Sequence, residues 1–232
     1  MKGEIMDIKG KKLLLLGDSI MNGSGNKNYG VGEYLVKDYG VTLYKYCWGG
    51  ARVGYFEGKN WMVEQVRRSI NDKVDPDIII FDGFTNDCHT KTPESECDVP
   101  LGEMTEGFEG FDIFAVSKEN TTFSNCFENV ADALKKYCPN AKVLFIRPHR
   151  MVSRGEKCQV EYGERAVAIC KKWGIAVCDL YKDCDFDTFR EEDRDKYTND
   201  SYGWGRGDGT HPNARGYEER YMPVIEKAIS KL

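Results

Sequence analysis

Five short apolar runs, each followed by a segment with helical spacing, constrain the fold of this chain most strongly. The runs cover residues 12–16, 41–46, 77–81, 142–146 and 175–180. Apolar residues fill them almost continuously, which is typical of strands in a parallel sheet that is covered on both faces. The intervening segments predict helices over 31–39, 61–70, 123–137, 162–173 and 217–229. This alternation favours βαβ units within one α/β domain.

Length and composition place the chain among single-domain globular proteins and exclude some functions. A chain of 232 residues buries about 72% of its unfolded surface, which is enough for a hydrophobic core that needs no disulfide bonds or bound metal. We therefore expect one domain over residues 1–232. A net charge of −5 argues against a general nucleic-acid partner.

The sequence lacks a long apolar run and contains two stretches that resemble long loops. No apolar run approaches the roughly 18 residues of a membrane span, and no signal-peptide pattern is present. The expectation is a cytoplasmic protein, with secretion left open if a leader was removed. Two stretches, 91–121 and 183–208, are rich in charge, glycine and aromatic residues. We predict that they form irregular loops acting as walls of an active site, with surface insertions as the alternative.

The nine cysteines show no pairing pattern. Their number is odd and no two have C-x-x-C spacing, which disfavours a disulfide framework and a zinc ribbon. We expect buried or free thiols. Cys88, His89 and Cys97 do not have the spacing of common zinc ligands either. The sequence therefore predicts no metal and no cofactor.

Two short motifs near opposite ends of the chain carry candidate catalytic groups. Ser19 follows the first predicted strand in Gly17-Asp18-Ser19. Asp208 and His211 are three residues apart in Asp-Gly-Thr-His-Pro, so one helical turn can place them on the same side. A carboxylate that orients an imidazole next to a serine is the arrangement of acyl-transfer catalysis. Each motif alone is also compatible with a turn or a helix cap.

Two further motifs supply candidate donors for an oxyanion. Gly49 and Gly50 follow the second predicted strand, and Asn86 follows the third. Glycine amides and an asparagine NH₂ are suitable donors. The loops that follow successive strands line one crevice in a doubly wound sheet, so these groups can converge on Ser19. We expect Asp18 to hold its turn and Asp87 to fix the Asn86 loop.

At these residues the sequence resembles the SGNH hydrolases, also called the GDSL esterase/lipase superfamily. The matching blocks are Gly17-Asp18-Ser19, Thr85-Asn86-Asp87 and Asp208-Gly209-Thr210-His211-Pro212. One departure is Phe84, where the family often has glycine. The α/β-hydrolase alternative needs G-x-S-x-G, whereas here Met21 stands two residues after Ser19.

The resemblance implies a flavodoxin-like three-layer α/β/α sandwich with a five-stranded parallel sheet in the order 2-1-3-4-5. It implies Ser19, Asp208 and His211 as catalytic residues. It implies the amides of Ser19 and Gly50 (or Gly49) and the Asn86 side chain as the oxyanion hole. The partner would be a small-molecule ester, with the oligomeric state left open.

The interpretation that follows is a serine ester hydrolase. We expect it to act on short acyl esters, chiefly acetyl esters, of carbohydrates or other small polar alcohols. A lysophospholipase or acyl-thioesterase of the same superfamily is the alternative, and a non-catalytic flavodoxin-like binding module is a more distant one.

Overall fold

A five-stranded parallel sheet forms the centre of the protein in a computed structural model, which describes residues 7–55, 60–89, 97 and 99–232. The strands are β1 Lys12–Leu16, β2 Thr42–Lys45, β3 Ile78–Asp82, β4 Lys142–Arg147 and β5 Ala176–Asp179. Their order is β2-β1-β3-β4-β5 and every pairing is parallel. The predicted α/β class, sheet and strand order are therefore confirmed.

Helices flank the sheet and connect its strands. They are α1 Ser19–Asn22, α2 Val31–Tyr39, α3 Met62–Asn71, α4 Phe123–Tyr137, α5 Glu156–Lys172, α6 Leu180–Asp183, α7 Glu191–Tyr197, α8 Ala214–Gly216 and α9 Met222–Ile229. A π-helical turn, Tyr217–Tyr221, joins the last two. Two differences from the predicted helices stand out: α5 begins six residues earlier than predicted, at Glu156 instead of residue 162, and α9 is preceded by that π turn.

The two stretches predicted to be irregular differ in outcome. Residues 183–208 contain α7, so they are not wholly irregular. Residues 91–96 and 98 lie outside the described residues. In the described remainder of 91–121, a single 3₁₀ turn is formed at Lys118–Asn120. That both stretches wall an active site stays a prediction.

Alternating side chains of the strands fill two separate cores, which makes the fold three-layered. Leu14 and Leu16 of β1 face the core under α3, α4 and α5. Leu13 and Leu15 face the opposite core, under α2 and α9. Strand side chains alternate between faces, so an uninterrupted leucine run supplies both cores at once. Each fully buried leucine contributes about 1.5–3 kcal/mol of hydrophobic free energy.

Strand order also places the candidate site. Because β1 lies between β2 and β3, the loops that follow these three strands leave one end of the sheet side by side. Such an end, where neighbouring connections diverge, is where ligands bind in open α/β sheets. No helix within the described ranges is both long and apolar enough to cross a bilayer.

One disulfide departs from the sequence expectation. Cys97 is bonded to Cys158 of α5, so the prediction of unpaired thiols is wrong for this pair. The two cysteines are separated by 61 residues, and no local spacing could have indicated that they meet. Other described cysteines, such as Cys126 and Cys170, are buried as free thiols.

Candidate active site

Ser19 is positioned by a tight turn between β1 and α1. It is the first residue of α1, and the carboxylate of Asp18 caps this helix by accepting a hydrogen bond of 2.7 Å from the Ile20 amide. Gly17 has φ +141°, and a Cβ there would stand 2.1 Å from Asp82 Oδ1. Only glycine fits this close approach. Ser19 is 7% exposed, so its hydroxyl is held in a largely enclosed position.

Gln65 holds the same turn from α3, a role that the sequence analysis missed. Its side-chain Oε1 accepts from the Gly17 amide and its Nε2 donates to the Gly17 carbonyl, each at 2.9 Å. Gln65 lies on the buried face of the helix. A polar residue on an apolar helix face was the available signal, because buried polar groups require partners.

The structure brings Ser19, His211 and Asp208 into one line of hydrogen bonds. His211 Nε2 lies 2.9 Å from Ser19 Oγ. His211 Nδ1 lies 2.7 Å from Asp208 Oδ2. With Nδ1 protonated, Nε2 presents its lone pair to the serine hydroxyl, and that tautomer is the one the carboxylate selects. The arrangement can remove a proton from Ser19.

The other oxygen of Asp208 shapes the loop. Oδ1 accepts from the amides of Thr210 at 2.8 Å and His211 at 2.9 Å. Burial raises the pKa of Asp208, but the hydrogen bonds from His211 and the Ser201 hydroxyl outweigh it, so the pKa lies below its usual value. The carboxylate is therefore ionised when it faces the imidazole.

Backbone pairing with Asn199, two residues after α7, fixes this loop in place. The Asn199 amide donates to the His211 carbonyl, and the Asp208 amide donates to the Asn199 carbonyl, both at 2.8 Å. On the other side, the turn at Gly25 packs on His211, where a Cβ would meet the His211 Cβ at 2.7 Å. Part of the stretch 183–208 thus supports the catalytic candidate directly.

Asn86 lies beside this line with a defined amide orientation. Its Nδ2 donates to the Ala51 carbonyl at 2.9 Å and makes a long contact of 3.4 Å with Asp18 Oδ2. Its Oδ1 faces Arg154 Nη2 at 3.4 Å. Acceptors on one side and a donor on the other select a single orientation of the amide. The NH₂ group faces the turn that carries Ser19.

Phe84 explains the departure from the glycine common in the family. Its φ is +82°, in the left-handed region. A side chain there costs about 1–2 kcal/mol relative to the right-handed form, whereas glycine would adopt it freely. The ring is 1% exposed and packs in the core below α3 and α4. The chain therefore keeps the backbone conformation and offsets its strain by burying a large apolar ring.

Asp87 connects the loops that follow β2 and β3. Its carboxylate accepts from the amides of Val53 at 3.0 Å and Gly54 at 2.8 Å. Burial raises the pKa of Asp87 to about 6, despite these amide bonds. The sequence predicted that Asp87 fixes the Asn86 loop; its carboxylate connects that loop to the neighbouring one, three and four residues beyond Gly50.

Gly50 lies at the exposed start of this loop, with φ +76°. The Trp48 amide donates to the Gly17 carbonyl at 2.9 Å, which places this segment against the Ser19 turn. The Gly49 carbonyl accepts from Asn60 Nδ2 at 2.8 Å. The left-handed backbone gives a conformational reason for glycine at position 50.

A pair of carboxyl groups, those of Asp18 and Asp82, lies under the turn. Asp82, at the end of β3, accepts from the Asp18 amide at 3.1 Å. Burial raises the pKa of Asp82 well above its usual value, and the charge of Asp18 raises it further. Burial raises the pKa of Asp18 as well. Burial and the charge of Asp18 therefore both favour the protonated form of Asp82.

The other two histidines do not join the Ser19 line. His149 is fully buried, stacked on Phe186 with ring centroids 4.1 Å apart, and its Nδ1 lies 2.7 Å from the Tyr221 hydroxyl. Burial lowers the pKa of His149 to about 3, so the ring is neutral. His89 is exposed at the rim of a groove. Among the described residues, no cluster of three or more metal-ligating side chains is formed.

A groove of about 470 Å³ opens beside His211. Its lining includes the basic residues Arg154, Arg194 and Arg206 and the aromatic residues Tyr202 and Trp204. These two rings are 62% and 61% exposed and stack with centroids 4.4 Å apart. The only aliphatic side chain among the groove's described lining residues is that of Val152. The groove is thus polar, with one aromatic wall.

Comparison with solved structures finds the same fold in proteins of low sequence identity. A protein from Lactobacillus plantarum is similar at 20% identity, with 96% of each chain covered and a TM-score of 0.69. A lipase/acylhydrolase from Enterococcus faecalis is similar at 19% identity, with 95% of this chain and 96% of the other covered and a TM-score of 0.60. TesA is similar at 15% identity, with coverages of 95% and 99% and a TM-score of 0.55. Comparison with curated protein sequences gave no match.

The fold and the match to a family model together define the class of this protein. The model of the GDSL-like Lipase/Acylhydrolase family matches residues 15–219. The chain belongs to this family, as its resemblance to the SGNH hydrolases predicted. Its members are ester hydrolases in the broad sense.

Proposed function

We propose that this protein is a serine esterase that removes short acyl groups, chiefly acetyl, from carbohydrates or other small polar alcohols. The observation that carries the proposal is the continuous hydrogen-bond line from Asp208 through His211 to Ser19, with atom separations of 2.7 and 2.9 Å. These distances lie within the range that direct proton transfer requires.

In the proposed mechanism Ser19 Oγ attacks the acyl carbonyl carbon while His211 Nε2 takes the hydroxyl proton. The tetrahedral intermediate collapses when the C–O bond to the alcohol breaks and His211 gives its proton to the leaving oxygen. A water molecule then repeats the sequence on the acyl-serine, releasing the carboxylic acid and restoring Ser19. Asp208 stays ionised and stabilises the imidazolium in both halves.

We assign the oxyanion hole to the Ser19 amide, the Gly50 amide and the Asn86 side chain. The support is that the Asn86 NH₂ faces the Ser19 turn and that the Gly50 segment packs against Gly17. Loss of one such donor lowers kcat by about 10²–10³. Asn86→Ala tests this assignment, because it removes a donor without touching the proton-transfer line.

The groove supports a polar alcohol and a short acyl group. A long acyl chain gains affinity from aliphatic walls, at about 25 cal/mol per Å² of apolar surface buried. The described lining offers arginines and an aromatic pair instead. Exposed stacked rings such as Tyr202 and Trp204 present a flat apolar face with polar edges, which suits a sugar ring.

The test is a chain-length series of aryl esters from acetyl to octanoyl, run beside O-acetylated methyl glycosides. The proposal expects kcat/KM to fall as the acyl chain lengthens and acetate to be released from the glycosides. Ser19→Ala is the control for background hydrolysis. A rise toward octanoyl would support the lysophospholipase or thioesterase alternative. No turnover above that control would favour a binding module.

A further inference from the structure

We propose that the groove beside His211 is an anion-binding subsite, so that the alcohol half of the ester carries a carboxylate or a phosphate. This inference rests on the proposed function, since it concerns the substrate of the same site. It goes further in naming two arginines, Arg154 and Arg206, as the groups that select the substrate by charge.

Arg154 is half-buried, lines the groove and has N–H groups that make no hydrogen bond within the described chain. Its Nε donates to the Thr85 carbonyl at 2.6 Å, its Nη1 to the Ser153 carbonyl at 2.9 Å and its Nη2 to Asn86 Oδ1 at 3.4 Å. A guanidinium has five N–H groups, so two remain for a ligand. These three contacts also hold the Arg154 guanidinium in a fixed position.

In the part of the chain that the structure describes, the charge of Arg154 is not matched by a direct ion pair. Among the described residues, no carboxylate lies within ion-pair distance of it, whereas its groove neighbour Arg194 is paired with Glu191 and Asp195. Burial lowers the pKa of Arg154, which reflects the cost of removing its charge from water. A partly buried charge without an ion pair is costly. The more distant carboxylates of Asp18 and Asp208 only partly offset this cost, so an anion that enters with the substrate would relieve it further.

Arg206 and the aromatic wall form the outer half of the subsite. The Arg206 guanidinium carbon lies 5.7 Å from the centre of the Trp204 ring, and no carboxylate of the described chain is within ion-pair distance. Contact with the Trp204 ring restricts the guanidinium beside the aromatic pair that Trp204 forms with Tyr202. The result is positive charge at both ends of one groove, in a protein whose net charge is −5.

The groove's position assigns the anion to the alcohol. His211 and Asp208 line the groove, and His211 is the group that returns a proton to the leaving oxygen in the proposed mechanism. The leaving alcohol must therefore extend from the His211 side, into this groove. Bidentate capture of a carboxylate or phosphate by arginine would fix its orientation.

The experiment compares three substrates that differ only in charge: a methyl glucoside, its glucuronate and its 6-phosphate, each acetylated at the same hydroxyl. For the wild-type enzyme we expect kcat/KM on at least one anionic substrate to exceed the neutral value by about tenfold or more. The preference should weaken as salt is added. The two anionic arms show which group the subsite takes.

Variants assign the preference to the two arginines. Arg206→Gln and Arg154→Gln should each lower the ratio of anionic to neutral kcat/KM several-fold, whatever their effect on the neutral substrate. Arg68→Gln, which removes one positive charge from the exposed face of α3, is the matched control and should leave the ratio unchanged. Arg206 is exposed, so its variant remains informative if Arg154→Gln fails to fold.

The outcomes separate this inference from the proposed function. Equal kcat/KM on all three substrates, or an anionic preference that survives in Arg206→Gln and in a folded Arg154→Gln variant, would overturn the subsite and leave the esterase intact. Hydrolysis of none of them above the Ser19→Ala background, with aryl acetates also unreacted, would overturn the proposed function itself.

Discussion

Replacing Asp208 with asparagine should disable the base without disturbing the loop. Oδ1 of Asp208 accepts from two backbone amides, at 2.8 and 2.9 Å. An asparagine must keep its oxygen there, because its NH₂ would otherwise face two donors. The NH₂ then takes the place of Oδ2 and donates to His211 Nδ1. That forces the tautomer with the proton on Nε2, which cannot accept the proton of Ser19.

We expect Asp208→Asn to lower kcat for aryl acetate hydrolysis by about 10⁴, the loss that a wrong tautomer causes in other Ser–His–Asp sites. Circular dichroism and the unfolding midpoint should stay close to wild type. Ser201→Ala is the control, since it removes another partner of Oδ2 but leaves the carboxylate, and it should cost less than about tenfold. An Asp208→Asn enzyme within about tenfold of wild type would refute the reasoning.

Three further predictions concern Ser19 and two buried titratable side chains. Ser19→Ala should lower kcat by about 10⁶ with unchanged urea unfolding, and measurable turnover at wild-type rate would remove Ser19 from the mechanism. Asp82→Asn should gain stability relative to wild type as the pH rises above about 4, by up to about 1.4 kcal/mol per pH unit, because folded Asp82 retains a proton that the unfolded carboxyl releases. A difference in the free energy of urea unfolding that does not change with pH would contradict this. His149→Gln should remove a pH dependence of stability that has the opposite sign. Folded His149, with its pKa of about 3, stays neutral where an unfolded histidine binds a proton, below about pH 6.5. Between pH 6 and 4 the free energy of unfolding of wild type should therefore fall by up to about 1.4 kcal/mol per pH unit relative to the variant. Urea unfolding of both proteins checks this.

The sheet was predictable because its signal is local. Each strand is an apolar run bounded by glycine, proline or polar residues, and helices such as α2 and α4 begin and end where the periodicity does. By contrast, α7 has the sequence Glu-Glu-Asp-Arg-Asp-Lys-Tyr, which carries no apolar periodicity. It is stabilised by ion pairs such as that of Arg194 with Glu191, and by burial of Tyr197, neither of which a hydrophobic pattern reports.

The sequence predicted the candidate catalytic residues from their motifs, but it did not predict the residues that hold those motifs in place. Ser19, Asp208 and His211 occur in short recognisable segments, and the structure places them within hydrogen-bond distance. Gln65, Asp87 and Arg154 contact partners 48, 34 and 69 residues away. A pairing across such distances depends on how the strands are ordered in space, so it becomes visible only once the loops are assembled.

The bridge that Asp87 makes between the loops after β2 and β3 has a consequence for kinetics. A carboxyl with a pKa of about 6 takes up a proton in the range where esterase profiles are measured. The neutral form accepts more weakly from the Val53 and Gly54 amides, which loosens the segment that carries Gly50. The acid limb of a pH–rate profile would then include a contribution from the geometry of the proposed oxyanion hole. An Asp87→Asn enzyme would lack that titration, so the difference between the two profiles measures how far acid slows catalysis by relaxing a loop.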